Sequence, residues 1–244
     1  MKTIGICAHS YEGATLCFIT TCREGAKLLG PHMHPTIIMS ALPMALSMPA
    51  YKADDFNGVA PFLKEGVQRV ADGGADFFVC PDNTAHIIFE RIINDLPIPG
   101  LHIADVVCDE ILSKGWKKVA LLGTRWTMTG PVYENALKKR GLIRMIPDDL
   151  TRSAINTAIF EELCQSEFRP ETVAMFVDAI QILKDQGAEC VILGCTEIPL
   201  IITDANSPLP CLDSTRLLSK YAVELALTDT QLPVHGWVPS RVER

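Results

Sequence analysis

The sequence lacks the short motifs by which many metal-binding and nucleotide-binding proteins are recognised. Its nine cysteines include no CxxC pair, and their odd number fits neither a disulfide framework nor a zinc ribbon. It has no P-loop and no GxGxxG segment. His32 and His34 form an HxH pair, but the flanking Pro31 and Pro35 favour a loop. We therefore expect no metal and no cofactor, and we expect free thiols in a reducing, cytoplasmic setting.

Charged residues are missing from one long stretch, residues 28–51. Four prolines and two histidines interrupt this stretch, so we do not expect it to cross a membrane. The first residues also lack the layout of a secretion signal. The formal net charge of -7 argues against binding to a nucleic-acid backbone. The expected partner is therefore a small molecule, and neither a nucleic acid nor a membrane.

Short apolar runs alternate with helical patterns along the chain, which is typical of parallel βαβ units. Because the order strand, helix, strand, helix, strand occurs twice, we predict an α/β fold of two pseudo-symmetric lobes. Each lobe is a parallel-type sheet flanked by helices, with the active site in the cleft between them. Lobe 1 is predicted to comprise residues 1–104 and 208–244, and lobe 2 residues 105–207. The predicted strands are 3–8, 36–40, 77–80, 118–122, 142–146 and 190–193, and the predicted helices are 12–29, 60–72, 85–94, 105–114, 132–140, 154–164, 170–186 and 214–228.

One short segment occurs twice with an offset of 113 residues. Each copy consists of a turn, an acidic residue, a buried strand and then small polar residues. The copies are GADFFVCPDNT, which begins at Gly74, and GAECVILGCTE, which begins at Gly187. In this alignment Asp82 corresponds to Cys195. Ligands of open α/β sheets bind beyond the carboxyl ends of the strands, so both residues are candidates for a site.

Cys195 follows a glycine at a predicted strand end and precedes the polar pair Thr196 and Glu197. Backbone N–H groups of the next turn could stabilise its thiolate there. Cys190 lies inside the strand and is interpreted as a core residue. Asp82 is either a cap for the following helix or a site residue, and its alignment with Cys195 favours the site. A thiol and a carboxylate on opposite sides of a carbon atom suit proton removal on one face and return on the other.

Several further residues are candidates for substrate binding. Asn83 and Thr84 can hydrogen-bond a carboxylate or cap a helix, and the same two roles are open for Ser10. His86 is interpreted as a satisfied core histidine, and His9 as the only base candidate if Cys195 were a hydrolase nucleophile. The full set of predicted substrate-binding residues is Ser10, Asn83, Thr84, Thr124, Thr127, Thr196 and Glu197.

These residues resemble a known family, the cofactor-independent aspartate/glutamate racemases. Pro81-Asp82-Asn83-Thr84-Ala85-His86 is similar to the family's proline, cysteine, asparagine, threonine, any residue, histidine motif, and Leu193-Gly194-Cys195-Thr196-Glu197 to its second cysteine motif. Further matches are Leu122-Gly123-Thr124-Arg125-Trp126-Thr127-Met128, Tyr133-Glu134-Asn135-Ala136-Leu137 and Pro210-Cys211-Leu212-Asp213-Ser214-Thr215. The resemblance implies an isomerase, in most cases a homodimer, that moves a proton at the α-carbon of aspartate, glutamate or a related small carboxylate without pyridoxal phosphate.

The chain departs from the family motif at one position, because Asp82 stands where the first catalytic cysteine is expected. The ordinary pKa of an aspartate, about 3.9, is low for this base, so burial would have to raise the pKa of Asp82 for it to take this role. Alternatively, Asp82 binds a substrate ammonium while Cys195 works alone. Lys52 and Arg169 are the candidates for holding a substrate carboxylate. A catalytically impaired ligand-binding homologue and a one-cysteine decarboxylase or isomerase of the same superfamily remain the alternatives.

Overall fold

The protein, described by a computed structural model over residues 1–240, divides into two compact units. The first unit comprises Met1–Val106 and the chain from Thr215, and the second comprises Val107–Ser214. The strands in residues 1–240 are β1 Ile4–Ala8, β2 Ile37–Ala41, β3 Phe77–Val79, β4 Gly100–Leu101, β5 Lys118–Gly123, β6 Ile143–Met145, β7 Cys190–Gly194, β8 Cys211–Asp213 and β9 Trp237–Val238.

The α-helices of the same residues follow the strands in the order that βαβ units require. They are α1 Tyr11–Leu29, α2 Met48–Lys52, α3 Phe56–Asp72, α4 His86–Ile92, α5 Ile103–Ser113, α6 Arg125–Thr129, α7 Pro131–Lys139, α8 Asp149–Glu161, α9 Pro170–Asp185 and α10 Ser214–Ala226. None of them combines the length and the apolar character that crossing a bilayer requires. Both units are α/β folds, as the alternating pattern predicts.

Each unit has its own parallel sheet. The first sheet has the strand order β2-β1-β3-β4-β9 and the second has the order β6-β5-β7-β8. The internal repeat reappears here, because the 113-residue offset takes the start of β3 onto the start of β7. In both sheets the repeated strand pairs with the first strand of its unit, β1 or β5. The repeat therefore describes two units with the same local strand order.

Burial explains why the central strands read as continuous apolar runs. All residues of β1, β3 and β7 are buried. In the first unit β1 and β3 pack with α1 and α10 in one apolar cluster. In the second unit a separate cluster joins β5 and β7 to α8 and α9. A parallel sheet covered on both faces has no solvent side, so its strands show no alternation of polar and apolar residues.

Several element boundaries differ from the predicted ones for local reasons. Helix α3 begins four residues early because the Asp55 carboxylate caps it by accepting the Gly58 N–H at 3.0 Å. Helix α8 begins early because Asp148 accepts the Thr151 N–H at 2.8 Å. The short strands β4 and β9 and helix α2 are absent from the prediction, since elements of two to five residues carry no readable periodicity.

The segment 208–213 differs more clearly from its prediction. It was expected to return the chain to the first lobe, but it contains β8, which pairs with β7 in the second sheet. The division falls instead at Ser214, the first residue of α10. The assignment of residues 208–213 to lobe 1 is therefore wrong, because a three-residue strand with one buried residue, preceded by prolines, looks like a loop in the sequence.

The strand pair beside Cys195 leaves no space for a side chain at Gly194. A Cβ there would lie 2.9 Å from the Leu122 carbonyl oxygen and 2.9 Å from Thr127 Cγ2. We predict that Gly194→Ala lowers the free energy of unfolding by about 1–3 kcal/mol through overpacking. Urea unfolding measures this effect. Gly141→Asn is the control, since its φ of 68° suits asparagine and nothing surrounds it within 4 Å. Equal midpoints for the two variants would contradict the prediction.

Candidate functional site

Asp82 lies in the turn that joins β3 to α4. Its Oδ1 atom accepts the backbone N–H of Thr84 at 2.8 Å and that of Ala85 at 3.2 Å. The predicted capping role is confirmed in part, because Asp82 caps this turn rather than α4 itself, which begins at His86. The carboxylate is therefore held from one side by the backbone.

The other carboxylate oxygen, Oδ2, forms a short hydrogen bond with Nδ1 of His9. His9 directly follows β1, and Asp82 follows β3, the parallel neighbour of β1. The carboxyl ends of neighbouring parallel strands meet at one edge of the sheet, which brings the two side chains together. The sequence analysis missed this pair. The signal that could have revealed it was the position of both residues just beyond strands of the same βαβ set.

The surroundings of Asp82 do not give the raised pKa that a base at this position would need. Burial does raise the pKa of the carboxyl group, but the His9 ring and the N–H groups of Ala85 and Thr84 together outweigh that effect. The pKa of Asp82 is therefore lowered from its ordinary value. A half-buried carboxylate stays charged when it accepts enough hydrogen bonds, and Asp82 accepts three.

His86 is a satisfied core histidine, as predicted. It is fully buried, its Nδ1–H donates to the Asp82 carbonyl oxygen at 2.9 Å, and its Nε2 accepts the Ile103 N–H at 3.3 Å. Burial, followed by the charge of His102, lowers the pKa of His86 to about 3. The ring also stacks on Trp237. His86 therefore fixes the backbone at Asp82 and stays neutral.

The lowered pKa of His86 gives a prediction for stability. Between pH 6.5 and about 3 the unfolded chain takes up a proton that the folded chain refuses, so stability falls as the pH falls. The slope is up to about 1.4 kcal/mol per pH unit. We predict that His86→Gln removes this part of the slope, as measured by urea unfolding between pH 7 and pH 4. The control is His32→Asn, at an exposed histidine with a φ of 65°. A slope that His86→Gln leaves unchanged would contradict this account.

Cys195 directly follows β7. Its Sγ–H donates to Oε2 of Glu197 at 2.8 Å, and the Thr196 hydroxyl donates to Oε1 of the same carboxylate at 2.7 Å. Cys195 and Thr196 are half-buried, whereas Glu197 is buried. The Glu197 carboxylate therefore accepts hydrogen bonds from both Cys195 and Thr196. Glu197 is the acceptor of the thiol hydrogen.

The pKa of the Cys195 thiol is raised well above its usual range. Burial contributes most, and the Glu197 carboxylate follows because it repels a thiolate and accepts the thiol hydrogen. One backbone hydrogen bond acts in the opposite direction without reversing the shift. The expectation that backbone N–H groups stabilise the thiolate is met by the Glu197 backbone, but burial and the Glu197 carboxylate outweigh this effect. The thiol is the resting form, and its thiolate would be a strong base.

The other predicted binding residues lie just beyond the carboxyl ends of β1, β3 and β5. Ser10, just after β1, caps α1 by accepting the Gly13 N–H at 3.3 Å. Thr124, just after β5, caps α6 by accepting the Thr127 N–H at 3.2 Å, and the two threonine hydroxyls lie 3.2 Å apart. Asn83 and Thr84 are buried in the turn after Asp82. All five residues therefore stand where a ligand of such a sheet binds, and their contact with substrate stays a prediction.

The remaining candidates have other surroundings. Cys80 is buried against Cys7, and burial followed by the Cys7 thiol raises the pKa of Cys80. It is a core residue of the first unit. Arg169 pairs with Glu162 and Glu167, so two acidic side chains offset its charge. In residues 1–240 no three His, Cys, Asp or Glu side chains are grouped so that they could hold a metal ion.

The geometry at Cys195 gives a prediction that separates reactivity from turnover. Because Glu197 raises the pKa of the thiol, Glu197→Gln increases the thiolate fraction and speeds alkylation of Cys195 by iodoacetamide at pH 8 by about three- to tenfold. Peptide mapping compares Cys195 with Cys22, a half-buried cysteine on α1 that serves as the internal control. Unchanged or slower alkylation of Cys195 relative to Cys22 would contradict the assigned contact.

Comparison with known proteins places these features in a family. The model of the Asp/Glu/hydantoin racemase family matches residues 11–222. A relative from Bacillus subtilis, described as the broad specificity amino-acid racemase RacX, is 30% identical over 173 residues, which is 71% of this chain and 74% of the relative.

Solved structures agree with the sequence comparison. A crystal structure of a proposed Asp/Glu racemase from Yersinia pestis has a TM-score of 0.86 and 29% identity, and the match covers 93% of this chain and 100% of that one. An aspartate racemase homologue from Pyrococcus horikoshii OT3 has a TM-score of 0.78 and 28% identity, with 93% and 99% covered.

Proposed function

Because the chain belongs to the Asp/Glu/hydantoin racemase family and is an isomerase, we propose that it interconverts amino-acid enantiomers without a cofactor. In this proposal Cys195 and Asp82 exchange protons with the α-carbon of aspartate, glutamate or a related small carboxylate. The substrate is left broad within that class, since the Bacillus relative is described as broad in specificity.

One observation carries the proposal. Each copy of the repeat has, just beyond its strand, a side chain that can hold a proton. A second side chain is hydrogen-bonded to it. In the first unit these are Asp82 and His9, and in the second unit they are Cys195 and Glu197. An acid or base that gains and loses a proton in every cycle works within hydrogen-bond reach of a group that can exchange that proton.

The reaction proceeds in three proton transfers. Glu197 takes the thiol proton of Cys195. The thiolate then removes the proton from the α-carbon, so that the C–H electron pair moves into the substrate carboxylate. A proton from Asp82 and that electron pair form the new C–H bond on the opposite face, and the O–H electron pair stays on the Asp82 carboxylate. The raised thiol pKa opposes the first transfer and favours the second, because a more basic thiolate takes a carbon-bound proton more readily.

A second candidate is a one-base enzyme in which Cys195 acts alone and Asp82 binds the substrate ammonium. The lowered pKa of Asp82 supports this candidate, because a carboxylate that stays charged attracts an ammonium group but has no proton to donate. This candidate includes the one-cysteine isomerases and decarboxylases of the superfamily. An impaired ligand-binding homologue would retain the same contacts without turnover.

The test is exchange of the α-proton in D₂O, followed by NMR with both enantiomers of aspartate, glutamate and a panel of other amino acids. We expect deuterium to enter the α-position with inversion of configuration. We expect Cys195→Ser and Asp82→Asn each to lower the rate by at least about 100-fold, the scale of one lost acid or base. Gly141→Asn, in the turn that precedes β6, serves as the control.

The outcomes separate the candidates. Exchange of one enantiomer without inversion, with Asp82→Asn still exchanging, supports the one-base enzyme and contradicts the two-base proposal. No exchange with any substrate, in protein kept reduced, contradicts racemisation and leaves decarboxylation or ligand binding.

We further propose that the protein acts as a homodimer in the cytoplasm. The family resemblance supports the dimer. All nine cysteines are free thiols, which fits a reducing compartment.

A further inference from the structure

Each ring nitrogen of His9 has a hydrogen-bonding partner. Nδ1 faces Oδ2 of Asp82, and Nε2 lies 2.9 Å from the Ser47 hydroxyl. Tyr51 and Phe62 pack against the ring, with centroids 5.0 and 5.7 Å away. The ring therefore has one fixed orientation, and each nitrogen has one partner.

The Ser47 hydroxyl reports which nitrogen carries a hydrogen. Ser47 is buried and donates its single hydrogen to the Met44 carbonyl oxygen at 2.9 Å. A hydroxyl that donates there can only accept from His9, so Nε2 must carry a hydrogen. If Nδ1 were then a bare nitrogen beside a charged Asp82, two lone pairs would face each other across a short contact. A second proton between Nδ1 and Oδ2 removes this conflict.

We propose that His9 is the positioning residue and proton store of Asp82: the two side chains share one proton, and Ser47 keeps Nε2 of His9 protonated. The shared proton does not depend on the proposed function, whereas its use in catalysis does. Asp82 is the member that reaches a ligand, since its side chain is 21% exposed and that of His9 only 5%.

The proton balance of the catalytic step is complete within this pair. The shared proton first passes from Nδ1 of His9 to Oδ2 of Asp82, and the N–H electron pair stays on Nδ1. Asp82 then gives this proton to the α-carbanion, whose electron pair forms the C–H bond, while the O–H electron pair stays on the carboxylate. His9 remains neutral with its hydrogen on Nε2. In the reverse direction Asp82 receives the substrate proton and shares it again with His9.

Other titratable groups around the pair do not supply this proton. The structure places the Tyr51 hydroxyl and the Cys7 and Cys80 thiols close enough to Asp82 or to one another to interact electrostatically. Burial raises the pKa of Tyr51 and that of Cys80 well above their usual ranges, so both stay neutral. The carboxylate of Asp82 is the anion that the His9 ring meets.

The first experiment reads the ring nitrogens by ¹⁵N NMR at pH 7 in the wild-type chain labelled at histidine. We expect the two nitrogens of His9, identified by their loss in His9→Asn, to have the similar shifts of a protonated ring. His86 is the internal reference, because its donor Nδ1 and acceptor Nε2 define a neutral ring with two separated shifts. A neutral pattern for His9 would overturn the proposal, whether or not the protein proves to be a racemase.

The second experiment removes the reporter hydroxyl. In Ser47→Ala the Nε2 hydrogen loses its acceptor, so we expect the two ring nitrogens of His9 at pH 7 to move apart, towards the separated ¹⁵N shifts of a neutral ring. Ser113→Ala is the matched control, because the exposed Ser113 hydroxyl donates to the Glu110 carbonyl three residues earlier, as Ser47 does to Met44. Equal ¹⁵N shifts of His9 in the two variants would contradict the role of Ser47.

The third experiment tests whether the shared proton is used in catalysis. The His9→Asn amide can still donate to Asp82 but cannot share a proton with it. We expect kcat to fall by about 100-fold with little change in KM. If the wild type shows no exchange at all, the proposed function fails while the NMR result stands. If His9→Asn keeps full activity in a protein whose wild type exchanges, the proton-store role is wrong and the racemase assignment stands.

Discussion

The parallel pairing of two central strands in each unit is the constraint on which the rest of the structure depends. In the first sheet β1 pairs with β3, and in the second β5 pairs with β7. Parallel neighbours end at the same edge, so each pair delivers two loops to one place. The buried strands allow little freedom of register, because a one-residue slip would exchange the sides on which all their side chains pack. His9 meets Asp82, and Thr124 stands beside the strand of Cys195, as consequences of this pairing.

The two proton-holding groups have opposite electrostatics although they occupy equivalent positions. Cys195 faces a buried carboxylate, so its charged form is disfavoured by both burial and Glu197. Asp82 faces an imidazole and two backbone N–H groups, and these outweigh burial and favour its charged form. The same desolvation therefore leaves a neutral thiol on one strand end and a charged carboxylate on the other. The difference arises from the partner that each neighbouring loop supplies and not from the strands.

The sequence was sufficient for what depends on periodicity and repetition. Alternating apolar runs and helical patterns predicted the α/β fold, the repeat singled out Asp82 and Cys195, and His86 was correctly interpreted as a core residue. What depends on neighbours in space was not readable. The His9–Asp82 bond requires knowing that β1 lies beside β3, and the sign of the Asp82 shift requires knowing that bond. The three residues of β8 resemble a loop until their pairing with β7 is seen.

The opposite shifts have a consequence for a two-base racemase. Two enantiomers of one amino acid have equal free energies, so the ratio of kcat to KM must be the same in both directions whatever the enzyme contains. Two acid/base groups of unequal strength can therefore give the two enantiomers different kcat values and different KM values. The ratio of kcat to KM stays the same for both enantiomers. If Asp82 is one of the two bases, as proposed, its lowered pKa makes it a weaker base for a carbon-bound proton than the thiolate of Cys195. The proposed sharing of its proton with His9 reduces this difference in basicity, because the more basic of the two groups then holds the proton. The proposed acid/base role of Asp82 therefore depends on its contact with His9.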